Sequence, residues 1–177
     1  DVPFKFVEEI GCISHGYDIH CIYGNDYSGE ITNCNYVLDT LFDKWEEKAK
    51  MPTPRNNFSC VLVGDRIYCL GGRTTSQSHY AIPNNVDYYS LTENTWTTLP
   101  KVKELSEDGV GILYGDIIYV VSQDQSQRVV GYDTKNNSVV TNLKDANSLR
   151  FRCGAVLHNN LIYMIGGYVR DCRKKAS

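Results

Sequence analysis

One phrase recurs along this chain, and its recurrence limits the fold more than any other feature. Gly64-Asp65-Arg66-Ile67-Tyr68-Cys69-Leu70-Gly71-Gly72 returns as Gly115-Asp116-Ile117-Ile118-Tyr119-Val120-Val121 and as Asn159-Asn160-Leu161-Ile162-Tyr163-Met164-Ile165-Gly166-Gly167. A weaker copy, Gly16-Tyr17-Asp18-Ile19-His20-Cys21-Ile22-Tyr23-Gly24, opens the series. The central aromatic or histidine falls at positions 20, 68, 119 and 163, in steps of 48, 51 and 44 residues. A second landmark, Trp45, Trp96 and more weakly Val139, precedes the following marker by 23, 23 and 24 residues. From marker forward to landmark the distances are 25, 28 and 20. One half of the unit is therefore fixed in length and the other elastic. A rigid packed segment joined to a surface loop behaves this way, because loops absorb insertions at small cost.

Each unit reads as four short strands. In the second, Phe58 to Val63 is apolar enough for a buried inner strand, and the two-residue Gly64-Asp65 turn is a strong hairpin signal. Arg66 to Leu70 forms the second strand, ended by Gly71-Gly72. A polar loop from Arg73 to Asn84 leads to a third strand from Val86 to Leu91. The turn Thr92-Glu93-Asn94 delivers a fourth, Thr95 to Leu99. No helical periodicity runs over a useful length, and Asp43 to Lys50, the one stretch that could be helical, overlaps Trp45 and is read as strand.

Antiparallel four-stranded units at this spacing describe propeller blades. The Gly-Gly pair, the aromatic three residues before it and the later Trp make the chain similar to the kelch repeat. The expected fold is all-β, a kelch-type β-propeller of about three and a half four-stranded blades from a larger ring. Six blades at about 48 residues each would need about 290 residues. The units are expected at 1–50, 51–100, 101–147 (degenerate, with Ser122-Gln123 in place of Gly-Gly) and 148–177 (first two strands only). The tyrosine and tryptophan landmarks are expected to fill the wedges between blades. An open propeller exposes a blade face and sheet edges, which predicts self-association.

Composition excludes several classes. A net charge of −3 lacks the basic footprint of nucleic-acid binding. No apolar stretch approaches the ~20 residues of a membrane helix, and residues 1–11 lack the order of a secretory leader. Cysteines number seven and several sit inside apolar runs, which fits a reducing compartment and predicts a cytoplasmic protein. The sequons at Asn57 and Asn136 are then without consequence. Cys12, His15, His20 and Cys21 lie close in sequence, yet adjacent strand residues point to opposite faces, so no tetrahedral zinc set is expected. No triad, phosphate-cradling loop or paired carboxylates emerge, and no catalysis, cofactor or metal is predicted.

Binding then falls to loops carried on rigid blades. By strand direction, the loops after the second strand (25–33, 73–84, 123–127) and those joining blades (50–56, 100–108, 144–150) open on one face. Arg55 and Arg150 occupy equivalent places, 13 residues before Tyr68 and Tyr163. Resemblance to kelch propellers implies that an arginine here lines a partner-binding mouth, with a salt bridge to a neighbouring blade as the other reading. Asn56 beside Arg55, and Arg73, Ser76, His79 and Tyr80 in the richest loop, complete the expected contact set. The resemblance implies a non-catalytic protein-binding module. The first form is a substrate adaptor of the kind that follows a BTB domain and feeds a cullin ubiquitin ligase, its partner a ligase substrate. The second is an actin-binding or cross-linking kelch protein. A kelch-like metal oxidase is the least favoured, with His15, His20, His79 and His158 as its whole imidazole supply.

Overall fold

The two-residue turns predicted by the repeat organise the described strands into antiparallel hairpins. The computed structural model describes residues 9–22, 24–26, 28–76, 79–81, 83–121, 128–140, 143–144 and 153–168, with the backbone alone described at 75, 76, 79 and 80. β1 (Gly11–His15), β2 (Asp18–Ile22), β3 (Asn35–Asp39) and β4 (Lys44–Glu47) form one sheet in sequential order. β5 (Ser59–Val63) and β6 (Arg66–Leu70) form the next, followed by a small separate hairpin of β7 (Thr74–Ser76) and β8 (His79–Ala81). β9 (Asn85–Ser90) and β10 (Thr95–Lys101) return to complete that sheet. β11 (Val110–Tyr114), β12 (Ile117–Val121), β13 (Val129–Asp133) and β14 (Ser138–Val140) make the third, and β15 (Gly154–His158) pairs with β16 (Leu161–Ile165). Every pairing is antiparallel. The fold is a partial β-propeller, all-β as expected, and Lys44–Glu47 is strand rather than helix.

Turn chemistry explains why the strands reverse where they do. Gly64 has φ +60°, with Gly16 and Gly115 alike, and Asn159 and Asn160 are both left-handed at +48° and +61°. Those are the primed hairpin turns whose twist matches the flanking strands. The turn from third to fourth strand repeats its own device: Asp43, Asn94 and Asn137 all take positive φ near 50°. Asp39 Oδ1 accepts from Leu41 N and Phe42 N, and Asp133 Oδ1 accepts from Lys135 N and Asn136 N. These side chains mimic a backbone turn.

The first strands β1, β5, β11 and β15 lie side by side, and the blades fan out from them. Apolar side chains fill the wedges between blades. Ile22, Met51, Ile67, Cys69 and Tyr89 pack between the first and second blades, and Val61, Tyr68, Leu70, Ile118, Val120 and Tyr132 between the second and third. The landmark aromatics divide here. Tyr68 is buried as expected, but Trp45, Trp96 and Tyr119 are half-buried and Tyr163 is 44% exposed. The fully buried rings beside Tyr68 are Tyr89 and Tyr132, on third strands, where the strand passes through the middle of its sheet. Tyr89 donates its hydroxyl to Asn94 Oδ1 at 2.8 Å, so ring and turn stabilise each other.

Candidate functional site

Where the second strand of a blade ends, three segments converge. Gly71 and Gly72 leave β6 with φ +69° and +88°. A side chain on Gly71 would collide with the carbonyl oxygen of Ser106, and one on Gly72 would lie 2.5 Å from that of Asn56. The close approach allows Gly72 N to donate to Ser106 O at 3.0 Å, Arg73 N to Asn56 O at 2.8 Å, and Asn56 N to Arg73 O at 3.0 Å. Asp108 N donates to Asn57 O at 2.9 Å. Both connections between blades, before β5 and before β11, are thereby fastened to the Gly-Gly exit. The pair is a backbone crossing point, and the sequence reading of a crowded exit acquires its partners.

Arg55 lies beneath this crossing. Its side chain is 0% exposed and pairs with Asp87, whose carboxylate is equally buried. Arg55 Nη1 donates to Gly71 O at 3.2 Å and Asn85 O at 3.1 Å. Asp87 also accepts from Asn85 Nδ2 at 2.7 Å and Thr98 Oγ1 at 2.6 Å. Burial draws the guanidinium below its ordinary value, opposed by the charge of Asp87. The expectation that Arg55 lines a partner-binding mouth is corrected on this geometry: every direction its fork can reach is filled from within its own blade. The salt-bridge reading holds, but inside a blade rather than between two.

Asn56, another expected contact residue, is also buried. Its Nδ2 donates to Asn25 Oδ1 at 2.8 Å, and Asn25 Nδ2 donates to Glu9 Oε2 at 3.0 Å. Its role is to tie the loop of the first blade to the second. That loop is shaped by Asp26 Oδ1, which accepts from Ser28 N and Oγ and from Glu30 N. Arg73 is half-buried, its Nε 3.8 Å from Glu107 Oε2. The segment expected as an irregular loop is partly ordered: β7 and β8 set Ser76 opposite His79 and Thr75 opposite Tyr80. Arg150 and the loop at 123–127 lie outside the described residues. Asn25, Asn56 and Arg73 thus form a hydrogen-bonded belt, from which the 24–33 loop and the β7–β8 hairpin both emerge.

The cysteine–histidine cluster separates by register. Cys12 faces Cys21 across β1 and β2, while His20 pairs with Ile13 and points to the other face. His20 is buried 5.9 Å from the Tyr89 ring, its Nδ1 has no hydrogen-bond partner, and burial holds its imidazole below the ordinary value. Among the described residues no three metal-ligating side chains converge, and no helix is long and apolar enough to cross a membrane. Two apolar surfaces stand out, the first with no signal in the repeat and the second an exposed blade face of the kind the open propeller predicts. Tyr17, Leu41 and Phe42 lie exposed on turns at the opposite end of the first blade, joined where Thr40 N and Oγ1 donate to Tyr17 O. Val156, Tyr163 and Ile165 share an exposed face of β15 and β16; the equivalent Val61, Tyr68 and Leu70 are buried against the next blade.

Comparison with known proteins places these features among relatives. A model of the Kelch motif matches residues 54–103, which spans the buried Arg55 through the end of β10. The chain is similar to Kelch-like protein 7 of Rattus norvegicus, 30% identical over 128 residues, covering 68% of this chain and 21% of that protein. It is similar to Kelch repeat and BTB domain-containing protein 12 of Danio rerio, 28% identical over 127 residues, covering 64% of this chain and 20% of that protein. The chain therefore spans about a fifth of the length of these curated relatives. The solved structure of YjhT superposes with a TM-score of 0.76 at 14% identity, covering 91% of this chain and 58% of that one, a likeness of fold.

Proposed function

We propose that this chain, which belongs to the kelch-repeat family, is a protein-binding module that meets its partner through the belt-supported loops of its first two blades. One observation carries the reading: Asn25, Asn56 and Arg73 are joined by hydrogen bonds, so the 24–33 loop and the β7–β8 hairpin stand on one rigid edge. A contact surface gains from such pre-organisation, because less entropy is lost on docking. Arg73, Ser76, His79 and Tyr80 remain the proposed contact residues, with Arg150 as a further candidate. Arg55 and Asn56 act beneath them as supports.

The finer reading is a substrate adaptor that recruits a protein to a ubiquitin ligase, acting without a cofactor in the cytoplasm. It is favoured by similarity to a relative whose name pairs kelch repeats with a BTB domain. Affinity capture should compare the full-length protein, a variant with Arg73→Glu and the β7–β8 hairpin shortened, and a Lys135→Glu control at the opposite end. Partners lost with the first variant and retained by the control support the reading. Identical partner sets from all three overturn the assigned face, and co-sedimentation with actin filaments in place of ligase components moves the function to a cytoskeletal role. The exposed Val156–Tyr163–Ile165 face is proposed to take a further kelch-type blade, in the packing that buries Val61, Tyr68 and Leu70. If a second copy supplies that blade, sedimentation will show association that Ile165→Lys removes.

A further inference from the structure

At the end of each blade away from the Gly-Gly crossing, one backbone hydrogen bond clamps the first hairpin turn to the turn before the fourth strand. Thr40 N donates to Tyr17 O at 3.0 Å, Leu91 N to Asp65 O at 2.9 Å, and Thr134 N to Asp116 O at 3.0 Å. The shared clamp lets the three blades be compared position by position. The second blade places Asp65, Thr92 and Glu93 on these turns, and the third places Asp116, Lys135 and Asn136. Polar residues of this kind are what a solvated turn ordinarily carries. The first blade carries Tyr17, Leu41 and Phe42 instead, large and apolar at all three positions.

The clamped turns face solvent wherever a blade sits in the series. All six polar residues of the second and third blades are exposed, although the second blade is packed on both sides, β5 lying against β1 and β11. Tyr17, Leu41 and Phe42 are 67%, 61% and 70% exposed in the same positions. Their backbone is firmly held. Asp39 Oδ1 accepts from Leu41 N at 2.9 Å and Phe42 N at 3.2 Å, Asp43 turns the chain at φ +51°, and Thr40 Oγ1 adds a second bond to Tyr17 O at 2.6 Å. Single exposed apolar residues are ordinary, but three on two clamped turns make a patch on pre-organised backbone.

The rim of the patch is acidic. Asp18 follows Tyr17, and Asp39 and Asp43 bracket the Leu41–Phe42 turn. Asp18 and Asp39 lie directly opposite each other across β2 and β3, where like charges repel. Lys44 stands opposite Asp39 and His15 opposite Asp18, yet among the described residues none of the three carboxylates closes a salt bridge. We propose that Tyr17, Leu41 and Phe42 form a second protein-docking surface, for a partner segment that carries leucine- or phenylalanine-sized side chains beside lysine or arginine. The apolar side chains of the segment cover the patch, and its cations sit over Asp18 and Asp39, relieving their repulsion. The same carboxylates turn away an acidic segment. The surface lies at the opposite end from the loops assigned to the first partner, so both ends can be occupied together.

The probes are three fluorescein-labelled synthetic peptides, built of leucine with lysine, leucine with glutamate, and serine with lysine, read by anisotropy against the full-length protein. The leucine–lysine peptide should bind at least about tenfold more tightly than either of the others. Leu41→Ser with Phe42→Ser should weaken it by about tenfold or more. Lys135→Ser with Asn136→Ser, the same two positions of the third blade, should leave its affinity unchanged. Asp18→Asn with Asp43→Asn should weaken it and flatten its dependence on salt. Asparagine at position 43 keeps the turn, as Asn94 and Asn137 do in the other blades. Equal binding of the leucine–glutamate peptide overturns the proposal, as does an affinity indifferent to the Leu41 and Phe42 substitutions while circular dichroism reports a folded sheet. Self-association in sedimentation that those two substitutions abolish gives the face to a second copy and counts equally against it. Arg73→Glu should not alter peptide binding, which keeps this test separate from that of the loops at the other end.

Discussion

The Arg55 guanidinium and the Asp87 carboxylate pair with neither side chain exposed to solvent, locking the segment before β5 to the centre of the same sheet. Five further hydrogen bonds complete the coordination of both groups: Arg55 donates to Thr53 O, Gly71 O and Asn85 O, and Asp87 accepts from Asn85 Nδ2 and Thr98 Oγ1. A buried pair so fully satisfied is costly to break and much less costly to replace, because the penalty lies in the charge left behind.

Arg55→Met should therefore destabilise the protein by about 3–5 kcal/mol, leaving Asp87 charged and unpaired. The double variant Arg55→Met with Asp87→Leu should recover a large part of that loss. Urea unfolding followed by tryptophan fluorescence measures both. A double variant no more stable than the single would contradict this account of the pair.

Gly71→Ala faces two obstacles at once, a left-handed backbone and the Ser106 carbonyl oxygen where the new methyl would sit. Gly29→Ala meets only the first, since its φ is +81° with open space around it. The expected losses are about 1 kcal/mol for Gly29→Ala and clearly more, about 2–4 kcal/mol, for Gly71→Ala. Thermal unfolding of the two variants compares them directly, and equal shifts would show that the crossing with Ser106 has no energetic weight.

His20 gives the protein a pH dependence of predictable sign. Burial lowers its folded-state value below the ordinary 6.5, chiefly by desolvation, with Asp18 opposing. The unfolded chain then binds the proton more readily than the folded one, so stability rises with pH through this window. The His20 contribution should be unchanged above about pH 7 and should fall as the pH drops below 6.5 toward the lowered folded value. Denaturation midpoints at pH 5.5 and 7.5 will differ less in His20→Asn than in the parent protein. An undiminished difference would assign the effect to other groups.

Fold and site were legible to different degrees. Strand positions could be read almost residue by residue: Arg66 to Leu70 is β6 as expected, because apolar alternation and a two-residue turn are local signals. The order hidden in residues 73–84 was not legible, because Thr74 to Ala81 carries no apolar alternation. Nor were Tyr89 and Tyr132 distinguishable as the most buried rings beside Tyr68, since burial depends on which blade lies opposite. The error over Arg55 has the same origin. Its position before the inner strand was correct, but a connection between blades can turn a side chain inward or outward with no change in sequence spacing.

By itself, the sequence determined the repeat, its four-stranded unit, the turns and the kelch resemblance, because each is written in residues a few positions apart. Tertiary structure decided which of these residues are buried within the protein and which lie at its surface. Asp87 lies 32 positions from Arg55, and Asn56 lies 31 from Asn25, so neither pairing has a local signature. The two cysteine pairs show the division most clearly. Spacing gives both the same nine-residue separation, whereas the packing of Gly11 against Cys60 exists only because two blades meet there.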